Sequence, residues 1–254
     1  MLIDAHMHIG TWDHPDFLGR TTTVADAVAV LDSSGLDGAA LLPTDRCDNQ
    51  GLLSDMQAAL RSGYRGSLWF FPWVKPGDDE GLSWVRTIGA SATGLKIHPS
   101  LSRMRVTDNG FRPHLDLAEE RDLVVLVHCG RWQEIASYRF AVEAAERHPR
   151  ARFLLAHGGG DTPPLGTAAC DLVAEKRLDN VWFEFSGVRE YWVIERNVRK
   201  LGAERYLMGS DYNLAHPKMY LGAVDGMNLP ESDKQRIRGG NAAQLFGAAL
   251  EVEA

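Results

Sequence analysis

The chain has 254 residues, of which 44% are hydrophobic and 24% are charged, and its formal net charge is -7. This is the composition of an ordinary globular protein, and the negative charge argues against a nucleic-acid partner, because phosphate binding needs a basic face. The N-terminal sequence MLIDAHMHIG does not resemble a signal peptide, and no segment reaches the roughly 20 apolar residues of a membrane span. We therefore expect a cytoplasmic protein that does not bind a membrane.

Eight short apolar segments predict β-strands. Each is rich in Val, Leu, Ile or Phe, as expected for parallel strands that are covered on both faces. In chain order they are residues 2–5, 38–42, 67–71, 93–97, 123–127, 152–156, 181–185 and 205–208.

The segments between these strands predict helices. Thr23 with Asp26 has the pattern of a capping box at the start of a helix. Residues 131–147, 171–178 and 232–246 also place apolar side chains at helical spacing. Strands that alternate with helices at about 30-residue spacing predict βαβ units.

These units favour a single (β/α)8 TIM barrel domain over residues 1–254, because about 250 residues is the usual size of such a barrel. No linker or low-complexity segment divides the chain. An open doubly wound sheet is the alternative fold. It predicts a glycine-rich phosphate-binding turn after an early strand, whereas the first predicted strand here is followed by histidines.

Polar residues come directly at the ends of several predicted strands, and in a parallel barrel those C-terminal ends meet at the active site. They are His6 and His8 after the first strand, Lys96 and His98 at the fourth, His128 at the fifth, His157 at the sixth and Asp211 at the eighth. Side chains alternate between faces along a strand, so His6 and His8 point the same way and can bind one ion. With His128 and Asp211 they form a set that suits zinc or another borderline divalent ion.

The other histidines, His14, His114, His148 and His216, do not share this placement and are interpreted as surface or loop residues. Lys96 has apolar residues on both sides, which places it inside the barrel mouth. A lysine in that position needs a charge partner or a chemical role.

Substrate contacts are expected from the loops that follow the strands. Arginine forks bind carboxylates with two hydrogen bonds, and aromatic rings form flat apolar walls, so a small carboxylate or cyclic acyl compound is the expected substrate. The residues predicted to bind the substrate are His98, Arg103, Arg105, Arg131 and Trp132. Solvated loop charges are the alternative interpretation of the arginines.

The sequence resembles the amidohydrolase superfamily, and in particular the amidohydrolase-related branch of metal-dependent hydrolases and non-oxidative decarboxylases. The matching segments are IDAHMHIG, GLKIHPS, VLVHCG, LLAHGGG, LMGSDYN and the C-terminal GGNAAQLFG, and they follow the order of the family. The resemblance implies that His6, His8, His128 and Asp211 bind metal. It also implies that Asp211 can relay a proton, and that His157 polarises the substrate or handles protons.

The resemblance leaves the number of metal ions open. In two-metal members a carboxylated lysine bridges the ions, and Lys96 occupies that position. The sequence Lys-Ile-His-Pro around it resembles the single-metal branch, in which the lysine is unmodified. One divalent ion, zinc or else manganese, is therefore expected, with a two-metal site as the alternative.

Three functions agree with these residues. The leading one is a hydrolase that attacks a small carboxylate, amide or lactone substrate with metal-activated water. The alternative is a non-oxidative decarboxylase of a small carboxylic acid with the same ligands. A non-catalytic barrel is the third. It is disfavoured because charged side chains gathered in a barrel mouth destabilise the fold, and such a cost is expected only where the side chains have a function. A homo-oligomer is compatible with the sequence, although no segment identifies an interface.

Overall fold

A computed structural model describes residues 1–252, so the last two residues of the predicted domain lie outside the described residues. Within that range the strands are β1 (Ile3–Thr11), β2 (Thr21–Thr22), β3 (Gly38–Pro43), β4 (Ser67–Phe70), β5 (Gly94–Ile97), β6 (Val124–Val127), β7 (Arg152–Leu155), β8 (Val181–Glu184) and β9 (Tyr206–Leu207). All of them except the short β2 occupy the predicted strand positions.

The helices of the described residues follow the strands in alternation. They are α1 (Val24–Ser34), α2 (Asn49–Arg61), α3 (Asp79–Ile88), α4 (Pro99–Ser102), α5 (Arg112–Arg121), α6 (Tyr138–Arg147), α7 (Pro163–Lys176), α8 (Tyr191–Leu201), α9 (Pro217–Gly226), α10 (Glu231–Gln235) and α11 (Asn241–Phe246). None of these helices has the combination of length and apolar character that crossing a membrane requires.

The parallel strands form a barrel, which confirms the predicted α/β fold. Among residues 1–252 the ladders run in the orders β2-β1-β3-β4 and β5-β6-β7-β8-β9, and all are parallel except that of β2 with β1. Backbone hydrogen bonds join the two sheets at both seams. Lys96 N donates to Pro72 O at 2.8 Å on one side, and Ala5 N donates to Met208 O at 2.9 Å on the other.

The core has two layers that alternate along the strands. One cluster holds strand residues such as Ala5, Leu126 and Leu154 together with Phe246 of α11. The other holds the intervening strand residues, such as Val125, packed against the surrounding helices. This alternation is what a barrel produces, because one face of each strand points into the barrel and the other towards the helices.

A β-bulge changes the direction of side chains within β1. The pairing of β1 with β3 shifts in register between Asp4 and Met7, and β1 continues to Thr11 rather than ending near residue 5 as predicted. A bulge inserts one residue and re-aims the side chains that follow it. Met7 joins the outer core cluster, and His6 and His8 lie on the opposite face, towards the barrel mouth.

Other predicted boundaries are wrong for identifiable reasons. The helix expected at 131–147 begins only at Tyr138, because Ser137 caps it and the chain before it forms turns. The helix expected at 171–178 begins earlier, at Pro163, since proline is well tolerated in a first helical turn. The segment expected at 232–246 is α10 and α11 joined by a π-helical turn, in which Gly239 lies close against the backbone of Met1.

The predicted capping box at the start of α1 is confirmed and gives a stability test. Asp26 N donates to Thr23 Oγ at 3.1 Å, and Thr23 N donates to Asp26 Oδ2 at 2.9 Å. Replacing Thr23 with Ala removes one cap acceptor, so we expect the free energy of unfolding to fall by about 1 kcal/mol in urea denaturation. Ser33→Ala in the same helix is the control, and an equal loss there would contradict the capping assignment.

Candidate metal and catalytic site

Three side chains converge at the C-terminal end of the barrel. One ligand atom from each of His6, His8 and Asp211 lies within 4.8 Å of the other two. The histidines are aimed there by the bulge in β1. Asp211 follows β9, and its backbone N–H donates to the carbonyl oxygen of His6 at 2.8 Å, which ties the two chain segments together. The structure thus brings together three of the four predicted ligands.

The Nδ1 hydrogen bonds of the two imidazoles leave a lone pair on each Nε2 atom, where a cation can bind. His8 Nδ1 lies 2.8 Å from Pro43 O, and His6 Nδ1 lies 2.9 Å from Glu184 Oε1. Both partners are acceptors, so each Nδ1 carries the proton and each Nε2 carries a lone pair. The two Nε2 atoms are 3.0 Å apart and each is 3.4 Å from Asp211 Oδ1. Electron-rich atoms packed this closely repel one another, and a divalent ion among them relieves that repulsion.

The electrostatics keep these groups in the protonation states that bind metal. Burial, reinforced by Lys96, lowers the pKa of His8 to about 4 and the pKa of His6 well below its ordinary value. Burial alone raises the pKa of Asp211, but the neighbouring histidines and Lys96 outweigh it and the pKa is lowered. Neutral imidazoles and an ionised carboxylate are the forms that a metal ion requires.

Lys96 lies in the barrel mouth, as its apolar neighbours predicted. Its side chain is almost fully buried at 1% exposure, and Nζ lies 3.0 Å from His6 Nε2. Burial lowers its pKa to about 8, opposed by Asp211 and Glu184. The amine also lies 5.9 Å from the centre of the Trp73 ring. A basic nitrogen thus faces the same space as the three ligand atoms.

His128 and His157 form a second pair beside this cluster. His157 Nε2 lies 2.9 Å from His128 Nδ1, and the His157 ring is 5.8 Å from that of His6. The His128 ring stacks on His98 at 3.8 Å, and His98 stacks in turn on Trp73 at 5.2 Å. His128 Nδ1 therefore faces His157, and His128 is not one of the three converging residues. Burial lowers the pKa of His128 well below the ordinary value.

The backbone is strained at both residues for which a catalytic role was predicted. His157 has φ 58° and Asp211 has φ 57°. Residues other than glycine adopt this left-handed region at a cost of about 1 kcal/mol or more. Strain of this kind persists where the surrounding structure enforces it, and it concentrates at functional sites.

Two buried carboxylates of the site were missed in the sequence. Glu184 accepts hydrogen bonds from His6 Nδ1 and from the backbone N–H of His157 at 3.1 Å. Asp4 accepts from Ser210 N at 2.9 Å, and burial raises its pKa to about 7. Glu184 lies within the seventh predicted strand, near its end, so the strand-end reasoning that found the histidines could have found it.

The interpretation of His114 as a surface or loop residue is wrong. It belongs to α5, is 2% exposed, and neither ring nitrogen has a hydrogen-bond partner among residues 1–252. The ring lies against Phe111, and burial lowers its pKa. His14 and His216 lie in loops as interpreted, and His148 is partly buried at the end of α6.

The side chains predicted to bind substrate have partners of their own in the loops. Arg131 Nε lies 2.8 Å from Asp161, and Arg105 donates to Glu134 O at 2.8 Å. Arg103 is exposed after α4. Trp132 is 45% exposed and His98 accepts from Leu101 N at 3.3 Å. The rings in contact with the ligand cluster are instead Trp12, 4.8 Å from the ring of His8, and Trp73, 5.7 Å from it.

The comparisons with known proteins agree with this architecture. A family model described as Amidohydrolase matches residues 3–248. No curated protein is significantly similar in sequence. The chain resembles the structure of 5-carboxyvanillate decarboxylase from Sphingomonas paucimobilis with 16% identity and a TM-score of 0.75, over 98% of this chain and 99% of that one.

Two further structures share the fold. An amidohydrolase from Burkholderia multivorans with bound zinc is 16% identical with a TM-score of 0.74, over 98% of this chain and 99% of that one. A dihydroxybenzoic acid decarboxylase from Polaromonas, with bound manganese and the inhibitor 2-nitroresorcinol, is 14% identical with a TM-score of 0.70, over 96% of each chain. Identities this low establish the shared fold and leave the reaction open.

The roles of the histidines can be separated by metal analysis of single variants. We expect His6→Ala to lose the bound ion, because it removes one of three converging ligand atoms, and His128→Ala to lose it as the predicted fourth ligand. His157→Ala and the loop control His14→Ala should keep the ion. Elemental analysis of proteins purified without chelators measures this, and loss in His157→Ala together with retention in His128→Ala would reverse the two roles.

Proposed function

The chain belongs to the amidohydrolase family, and from that premise we propose that it is a metal-dependent non-oxidative decarboxylase of a small, flat carboxylic acid. The observation that carries the proposal is the position of Lys96 Nζ, 3.0 Å from His6 Nε2 and inside the barrel mouth. A lysine amine beside a metal site gives two centres of positive charge in one buried space. A carboxylate is the group that such a pair attracts.

The walls of the site and the names of structural relatives support this substrate class. Trp12 and Trp73 present flat rings beside His8, and His98 stacks on Trp73. Such surfaces suit a planar ring. Two of the structural relatives are named as decarboxylases of 5-carboxyvanillate and dihydroxybenzoic acid. We infer a related aromatic or unsaturated acid as the substrate here.

His6, His8 and Asp211 would hold a divalent ion, which supplies a Lewis acid that draws negative charge onto substrate oxygens. Lys96 then orients the carboxylate through a charge-assisted hydrogen bond. The bond between the carboxyl carbon and the adjacent carbon breaks, CO2 leaves, and the electron pair stays on the adjacent carbon. We infer that protonated His157 delivers a proton from Nε2 to that carbon, while its Nδ1 stays bonded to Ser186 O at 3.0 Å.

Hydrolysis, the function that the sequence favoured, is the second candidate. Its supporting observation is Asp211, whose side chain is 18% exposed whereas those of His6 and His8 are buried. The carboxylate is kept ionised by its neighbours, and an accessible carboxylate can accept a proton from an attacking water. The two reactions thus use the same ligands with different proton carriers.

Product analysis with metal-loaded protein separates the two functions. We expect hydroxybenzoic acids to release CO2 and to give an aromatic product that carries no oxygen from ¹⁸O-labelled water, since decarboxylation adds a proton to the ring and no water. Matched aryl lactones and amides serve as the comparison substrates. Incorporation of ¹⁸O into the acid formed from a lactone or an amide, with no CO2 released from any acid, would establish the hydrolase instead.

Lys96 can be tested separately from the metal. Lys96→Met keeps an unbranched side chain and removes the amine, so kcat/KM for the carboxylate substrate should fall roughly ten- to hundredfold, the effect of one hydrogen bond to a charged group. Metal content should stay at one equivalent. Lys234→Met, which changes a half-buried lysine of α10, is the control. If the wild type instead holds two equivalents of metal and Lys96→Met holds fewer, Lys96 is the bridging lysine of a two-metal site.

A further inference from the structure

We propose that Glu184 is a positioning residue that sets the imidazole tautomers of both His6 and His157. This one carboxylate thereby influences both metal binding and proton transfer. Glu184 ends β8 and is fully buried. Its part in metal binding stands on geometry alone, whereas its part in proton transfer rests on the function proposed for His157.

The carboxylate of Glu184 is surrounded by hydrogen-bond donors. Oε1 accepts from His6 Nδ1 at 2.9 Å, from the backbone N–H of His157 at 3.1 Å and from Ser186 Oγ at 3.0 Å. Oε2 accepts from Ser186 N at 2.8 Å. Because His6 Nδ1 must donate to this carboxylate, its Nε2 is left with a lone pair that faces the ligand cluster.

Ser186 transmits the effect of Glu184 to the ring of His157. Its hydroxyl donates its one proton to Glu184 Oε1. Towards His157 Nδ1, 3.0 Å away, Ser186 Oγ can therefore only accept. The carbonyl oxygen of Ser186 is also 3.0 Å from His157 Nδ1 and likewise accepts. Both contacts hold the proton on Nδ1 and leave Nε2 as the atom that exchanges a proton.

Gly209 is the residue that makes room for this carboxylate. A side chain at position 209 would overlap with Glu184 Oε2 and would lie 3.2 Å from the Cβ of His6. The glycine of the Gly-Ser-Asp sequence therefore admits Glu184 to its place beside His6. An alanine there should displace the carboxylate without changing its chemistry.

A glutamine cannot replace this carboxylate isosterically. All of the groups that face Glu184 are donors, and an amide offers one acceptor oxygen and one NH2 group. In either orientation the NH2 group meets a donor, so at least one buried hydrogen bond is lost. Glu184→Gln therefore removes the charge and disturbs the tautomers while preserving the volume of the side chain.

The test compares Glu184→Gln with Glu195→Gln. Glu195 is another buried carboxylate, which accepts from Asn228 N at 2.6 Å and lies on α8 away from the ligands. Zinc affinity is measured by competition with a chromogenic chelator, and the tautomers by ¹⁵N NMR of labelled imidazoles. We expect Glu184→Gln to bind zinc ten- to hundredfold more weakly, to lose the Nδ1–H signal of His6 and to shift that of His157, whose Nδ1 keeps the Ser186 carbonyl as an acceptor, with Glu195→Gln unchanged.

Two further variants keep the proposal falsifiable if Glu184→Gln folds poorly. Gly209→Ala should reproduce both effects, because it displaces the same carboxylate. Ser186→Ala should change the His157 signals and leave zinc affinity within about twofold, since only the path to His157 is cut. Unchanged zinc affinity and tautomers in Glu184→Gln or Gly209→Ala would overturn the proposal. Neither measurement needs a substrate, so its failure is distinguishable from failure of the proposed reaction.

Discussion

The site depends on holding several ionisable groups out of water at one end of the barrel without leaving their charges unbalanced. Two acidic side chains, Asp211 and Glu184, face one lysine in the mouth, and the imidazoles between them are kept neutral by burial. Buried charges are costly unless they are paired. A divalent cation among His6, His8 and Asp211 supplies the positive charge that the single lysine does not. The close packing of these electron-rich atoms, which would repel one another on their own, therefore makes a good receptor for metal.

The backbone enforces this arrangement at three points. The bulge in β1 turns His6 and His8 into the mouth, and left-handed turns aim His157 and Asp211 at them from β7 and β9. Each of these features costs conformational energy. The two apolar layers of the barrel, which are packed on both faces of the strands, offset that cost. The ligands therefore lie on β1 or in the turn that follows β9, while the outer loops remain free to vary with the substrate.

The sequence was sufficient for the fold and for most of the polar residues in the mouth, because both follow from local patterns. Apolar segments mark strands, and a polar residue at the end of a parallel strand points to the active-site face. Glu184 was missed although it obeys the same rule, because its importance comes from a contact with His6, 178 residues away. The burial of His114 and the pairing of Arg131 with Asp161 likewise arise from the tertiary structure. Helical spacing and loop position carry no information about them.

The position of Lys96 also bears on the number of metal ions. An ammonium group 3.0 Å from His6 Nε2 repels a second divalent ion in the same space. A two-metal site therefore requires the lysine to become a carbamate, which changes its charge from positive to negative and turns it from a carboxylate anchor into a ligand. A one-metal site uses the lysine as it stands and leaves His157, held by Ser186 and Glu184, free to move a proton. The number of ions and the choice between decarboxylation and hydrolysis are thus coupled through a single side chain.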